Sequence, residues 1–76
     1  MTLSESHEGQ SLMIKRISGG GAIKQRLLDM GVGRGGKILV ERYAPLKDPI
    51  QIRVKGYSLA LRVAEGRLIE VEPCDD

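Results

Sequence analysis

Ten glycines and three prolines cut this 76-residue chain into runs of nine residues or fewer. Such runs are ample for strands, which are commonly about five or six residues long, but too short for a helix that stands alone in water. The chain must therefore fold as short elements joined by tight turns. It must do so without covalent help, because a single cysteine, Cys74, excludes an intramolecular disulfide framework. Area scaling for this length gives roughly 4,600 Å² folded against roughly 12,000 Å² unfolded, a thin core that fits one domain and not two. With no Trp and no Phe, aliphatic side chains must fill it, and Tyr43 and Tyr57 are the only rings available.

Hydrophobic spacing places the elements. Residues 12–17 form a short β-branched run, and the three-residue step from Ile14 to Ile17 breaks strict alternation, which predicts a bulge or a strand end. Residues 22–30 put Ile23, Leu27 and Met30 on one helical stripe, and Gly31 stops the helix with Val32 folding back onto its last turn. Residues 37–43 read as a strand. Ile50, Ile52 and Val54 then alternate with Gln51, Arg53 and Lys55, so one face is core and the other basic. Gly56 turns the chain into a strand over 57–62, residues 63–66 suit one helical turn, and residues 67–72 close as a strand. Short antiparallel strands around one helix predict a mainly β fold, a small SH3-like antiparallel barrel of about five strands whose closure removes exposed edges. The polar, aperiodic residues 1–10 read as a flexible tail, 11–73 as the domain and 74–76 as a second tail.

All twelve Lys and Arg fall between Gly9 and Ile69, where only Asp29, Glu41, Asp48 and Glu65 oppose them, a net +8. Such a surface attracts an acidic protein face, nucleic acid or an anionic membrane. Stacking platforms for single strands need aromatic rings, however, and two tyrosines supply few, so no nucleic-acid partner is expected. No run approaches the length of a membrane span and the first residues lack the pattern of a signal peptide, which predicts a cytoplasmic chain.

Several motifs carry less chemistry than they suggest. Gly31, Gly33 and Gly36 satisfy G-x-G-x-x-G, yet they close a helix and lead into a strand, the reverse of the order that brings pyrophosphate to a helix N-terminus. Gly19-Gly20-Gly21 precedes a helix but lacks the lysine and hydroxyl of a phosphate-binding loop. His7 and Cys74 sit in the two tails, where a base and a nucleophile cannot be held in register, so no catalytic residue is assigned and an enzyme is not expected. Should the tails meet, His7, Glu5, Glu8, Cys74, Asp75 and Asp76 would offer mixed ligands for Fe²⁺ or Zn²⁺, but no pair has the spacing of a structural site. No metal ligand or cofactor is assigned.

The order Arg26-Leu27-Leu28-Asp29-Met30-Gly31-Val32, then Gly35, then Ala44-Pro45-Leu46-Lys47-Asp48-Pro49-Ile50, then Gly56-Tyr57-Ser58-Leu59-Ala60-Leu61-Arg62 resembles the FeoA family, small companions of the bacterial ferrous iron transporter FeoB. The likeness runs from about Leu12 to Glu72. Members commonly carry proline where this chain has Arg34 and alanine where it has Gly66, which leaves loop geometry open and predicts a looser turn at 66. The same barrel is similar to the C-terminal domain of iron-dependent repressors of the diphtheria toxin repressor type, although DNA-binding helices are lacking.

The resemblance implies a non-enzymatic accessory protein of bacterial ferrous iron uptake that binds FeoB on its cytoplasmic side and meets the membrane only through that transporter. The alternatives are an SH3-like module that binds nucleic acid and a metal-responsive regulatory domain. Two docking surfaces are expected. One is the helix, with Arg26, Leu27, Leu28 and Met30, since a narrow stripe cannot bury all its apolar residues. The other is the rigid loop of Pro45, Leu46 and Pro49, which docks at little entropic cost. Arg26, Arg53 and Lys55 are the cations expected to meet acidic groups on the partner. Apolar groups exposed on so small a barrel add self-association as a further expectation.

Overall fold

The computed structural model describes residues 1–74. Its elements are β1 (Ser11–Ile17), α1 (Gly21–Asp29), β2 (Lys37–Tyr43), β3 (Ile50–Val54), β4 (Tyr57–Leu61), α2 (Val63–Gly66) and β5 (Ile69–Pro73). The strands form one antiparallel sheet in the order β4-β3-β2-β1-β5. The expected barrel does not close, since β4 and β5 remain at opposite ends of that order.

Two register shifts curl the sheet around its core. Against β5, β1 slips between Ile14 and Arg16. The slip resolves the broken alternation in the sequence, because Ile14 and Ile17 are both buried. Against β3, β2 slips between Val40 and Arg42, which leaves Glu41 as the extra residue on the polar outer face. Inside lie Leu12, Ile14, Val40, Ile50, Ile52 and Val71, joined by Leu27 and Val32 from around α1. Among the described residues no buried side-chain nitrogen or oxygen lacks a hydrogen-bond partner.

Gly31 takes the left-handed conformation, φ 88°, that ends α1. Val32 N donates to Leu27 O at 2.9 Å and Gly31 N to Leu28 O at 3.0 Å, the paired bonds of a Schellman motif, with Val32 buried as its apolar contact. The stripe upstream is only partly core. Leu27 is 0% exposed and Met30 packs against the cluster, but Ile23 is 43% exposed, so α1 docks by its C-terminal end.

Residues 1–10 depart from the reading as a flexible tail. Leu3–Glu5 form a 3₁₀ turn, Leu3 is fully buried in the core and Thr2 bridges Glu70 beside β5. The turn holds because Thr2 N donates to Glu5 Oε1 at 2.7 Å. This is the local signal the polar composition hides: a Thr-x-x-Glu spacing that spans one leucine.

Candidate functional site

Leu46 is 90% exposed, the most exposed large apolar side chain among the described residues. The local chain forces it outward. Lys47 N donates to Ala44 O at 2.6 Å, which closes a four-residue turn with Pro45 and Leu46 at its tip. Proline's fixed φ suits the first of those central positions. Ala44 N donates to Pro49 O at 3.0 Å and Lys47 takes a positive φ of 66°, so the loop is braced at its base.

Behind this loop runs an open groove of about 1110 Å³. Tyr43, Pro45, Leu46, Val63 and Ala64 provide its apolar lining, while residues 4–8 form one wall. Hydrogen bonds fix that wall. Tyr43 Oη donates to Ser6 O at 2.6 Å, Tyr43 N donates to Glu8 Oε2 at 2.8 Å, and Ser6 Oγ donates to Leu3 O at 2.6 Å. On the far side Val63 N donates to Asp48 Oδ1 at 3.1 Å, which ties α2 to the proline loop. The rim carries Glu5, Glu8 and Asp48 against Lys47 and Arg67. Hydrogen bonds from the Thr2 backbone and side chain hold the Glu5 carboxyl below its usual range. The groove thus combines an apolar floor with a charged rim.

The expected docking residues divide. Pro45 and Leu46 line the groove, and Pro49 joins Pro45 in a smaller one nearby. Leu28 is 45% exposed and stays available, whereas Leu27 must leave the docking set because it is fully buried. One turn of α1 inserts into the core more completely than a narrow apolar stripe implies. Met30 is half-buried against the core and its carbonyl accepts a bond from Tyr57 Oη. The Arg26 guanidinium pairs with Glu65, Arg53 Nε lies 3.0 Å from Glu41 Oε2, and Lys55 occupies the β3–β4 turn with a φ of 50°. These cations do not line the groove.

Sequence reasoning missed the wall made by residues 4–8, and it missed Tyr43, Glu41 and Glu65. Glu65 sits under Arg26 and accepts Arg62 N at 3.0 Å. Gly66 was expected to loosen its turn. It is instead a close approach, where an added Cβ would lie 3.2 Å from Ile50 Cδ1 and 3.4 Å from Ser4 N. Among the described residues no group of three or more His, Cys, Asp or Glu side chains gathers to hold a metal, and Asp75 and Asp76 lie outside them. No helix of those residues is long and apolar enough to cross a membrane.

Comparison with known proteins supplies the context. The family model described as FeoA domain matches residues 1–73. The chain is 42% identical over 72 residues to the Fe(2+) transport protein A/Fe(2+) transporter FeoB fusion protein of Porphyromonas gingivalis, covering 95% of this chain and 8% of that much longer one. The solution structure of the FeoA protein from Chlorobium tepidum superposes with a TM-score of 0.92 at 36% identity, over 99% of this chain and 71% of that one. The Stenotrophomonas maltophilia FeoA complexed with zinc, described as a procaryotic SH3 domain protein, superposes with a TM-score of 0.81 at 26% identity, over 95% and 89% of the two chains. The curled sheet is thus SH3-like, as the turn-rich sequence predicts.

Proposed function

Because the chain belongs to the FeoA family, we propose that it serves ferrous iron transport as a non-enzymatic accessory that docks on a FeoB-type transporter at its cytoplasmic side. The observation that carries this reading is the Porphyromonas gingivalis fusion, which joins a region 42% identical to this chain and a FeoB transporter in one polypeptide. Such a linkage raises the local concentration of two modules to about the millimolar range, an advantage only if the two act together. Where two such modules are not joined covalently, affinity must supply the same proximity. The groove behind the proline loop is the surface best built for it, because Leu46 is already exposed and its braced turn has little freedom left to lose on binding.

Capture of the purified chain on the GTP-binding portion of the transporter and on the full-length transporter, with and without GTP, tests the proposal. Leu46→Asp is expected to weaken capture by about tenfold or more, the range of a buried apolar anchor, with an unchanged urea midpoint because Leu46 supports nothing in the core. Leu28→Glu probes the α1 surface in the same way. Undiminished capture of both variants, or no capture of the parent chain, overturns the docking assignment.

A further inference from the structure

The two edges of the sheet are treated differently. β5 is covered along its outer side, where Thr2 bridges Glu70 and Val71 N donates to Met1 O at 2.8 Å. β4 has no such cover among the described residues. Lys55-Gly56 is a two-residue turn with both φ angles positive, and Val54 stands opposite Tyr57 as its closing pair. In such a hairpin the closing pair exchanges both hydrogen bonds and the pairs alternate from there. Tyr57, Leu59 and Leu61 therefore bond to β3, while the N–H and C=O groups of Ser58 and Ala60 point away from the sheet.

This open edge is set among cations. Lys55 and Arg62 flank the two ends of β4, Arg53 stands on its neighbour β3 and Arg42 on β2 beyond it. Few carboxylates oppose them. Glu41 is engaged by Gln51, Arg53 and Ser58, and Asp48 accepts Val63 N with Arg62 Nη1 4.0 Å away. Among the described residues Arg42 Nε donates to the neutral Gln51, at 3.2 Å, and to no carboxylate. Beside Ala60 the surface dips into the smaller groove, about 450 Å³, lined also by Arg42, Gln51, Pro45 and Pro49.

We infer that an extended acidic segment of a partner protein adds to β4 as a sixth strand, bonding through the main chain of Ser58 and Ala60 and placing a carboxylate side chain in the groove beside Arg42. Main-chain bonds supply the affinity in this mode of recognition, and side-chain pockets supply the choice of sequence. A second copy of this chain fits poorly. Antiparallel pairing of two β4 strands centred on Leu59 sets each Arg62 against the Lys55-Gly56 turn of the other copy, and like charges on an edge oppose such pairing. The inference stands on the edge and its charges, so it does not depend on the transporter reading.

The test is a titration of the ¹⁵N-labelled chain with the peptide acetyl-Glu-Val-Glu-Val-Glu-Val-amide and, in parallel, its Lys-Val counterpart. The acidic peptide is expected to shift the Ser58 and Ala60 amide signals and slow their exchange, and the basic peptide to leave them unmoved. Ala60→Pro removes an outward N–H while sparing the β3–β4 bonds, a substitution an edge strand tolerates, and is expected to weaken binding about tenfold. Lys55→Glu with Arg62→Glu leaves the main chain intact and must weaken it as well. No binding, equal binding of both peptides, shifts confined to residues 44–48 or α1, or full affinity in the charge-reversed variant overturns the inference.

Discussion

Glu65 accepts the Arg62 N–H with one carboxylate oxygen and faces the Arg26 guanidinium with the other, so one buried side chain caps α2 and ties it to α1. Glu65→Ala strands that N–H and is expected to lower stability by about 1–2 kcal/mol, read from the urea midpoint at constant slope. Glu65→Gln, which keeps an accepting oxygen, should lose less. Glu41 works differently, as an acceptor on β2 for donors from β3 and β4. Hydrogen bonds from the Ser58 hydroxyl, then Gln51, then Arg53 hold its carboxyl below the usual 4.5. The folded state thus prefers the ionised form, so the contribution is fully present above pH 4.5 and is lost as pH falls below that through the lower folded value. Acid titration of stability should show a decline in that window that Glu41→Gln reduces. A parent curve matching the variant's would remove Glu41 from the account.

At the scale of the element, α1 has a single fully buried apolar anchor, Leu27, near its C-terminal end. Leu27→Ala is expected to cost about 2–5 kcal/mol, a large share of the about 5–15 kcal/mol that holds a typical domain, whereas Ile23→Ala should change stability by less than about 0.5 kcal/mol. Thermal melts of the two variants separate them, and equal losses would mean that α1 docks along its whole length. The contrast also shows what the sequence could reveal. Alternation at Ile50, Ile52 and Val54 made β3 legible, and Gly31 made the end of α1 legible, because each rests on local geometry. Which apolar residue of α1 enters the core depends on how the helix is tilted, which is set by distant contacts such as Tyr57 to Met30 and Arg26 to Glu65. The proline loop was legible as a projection for the local reason that a turn with Pro45 at its first central position must present Leu46. The groove behind it was not, since its other wall comes from residues 4–8 and from α2.

For the molecule as a whole, the accessible surface of 4691 Å² agrees with the roughly 4,600 Å² expected from chain length. So small a core cannot spare Leu3. Leu3→Ala is expected to cost about 2–5 kcal/mol and to raise exchange at the Val71 amide, which the Met1 carbonyl covers; a silent variant would return residues 1–10 to the status of a tail. The order of strands has a further consequence, for the growing chain. Met13 lies opposite Glu72 and Ile17 opposite Ile69, so the first strand to be synthesised finds one of its two neighbours only in the last. Until then β1 and β4 are both unsatisfied edges of an incomplete sheet, and pairing across so long a stretch of sequence is slow. A folding chain is therefore open to association with other copies until the acidic β5 strand covers the exposed side of β1.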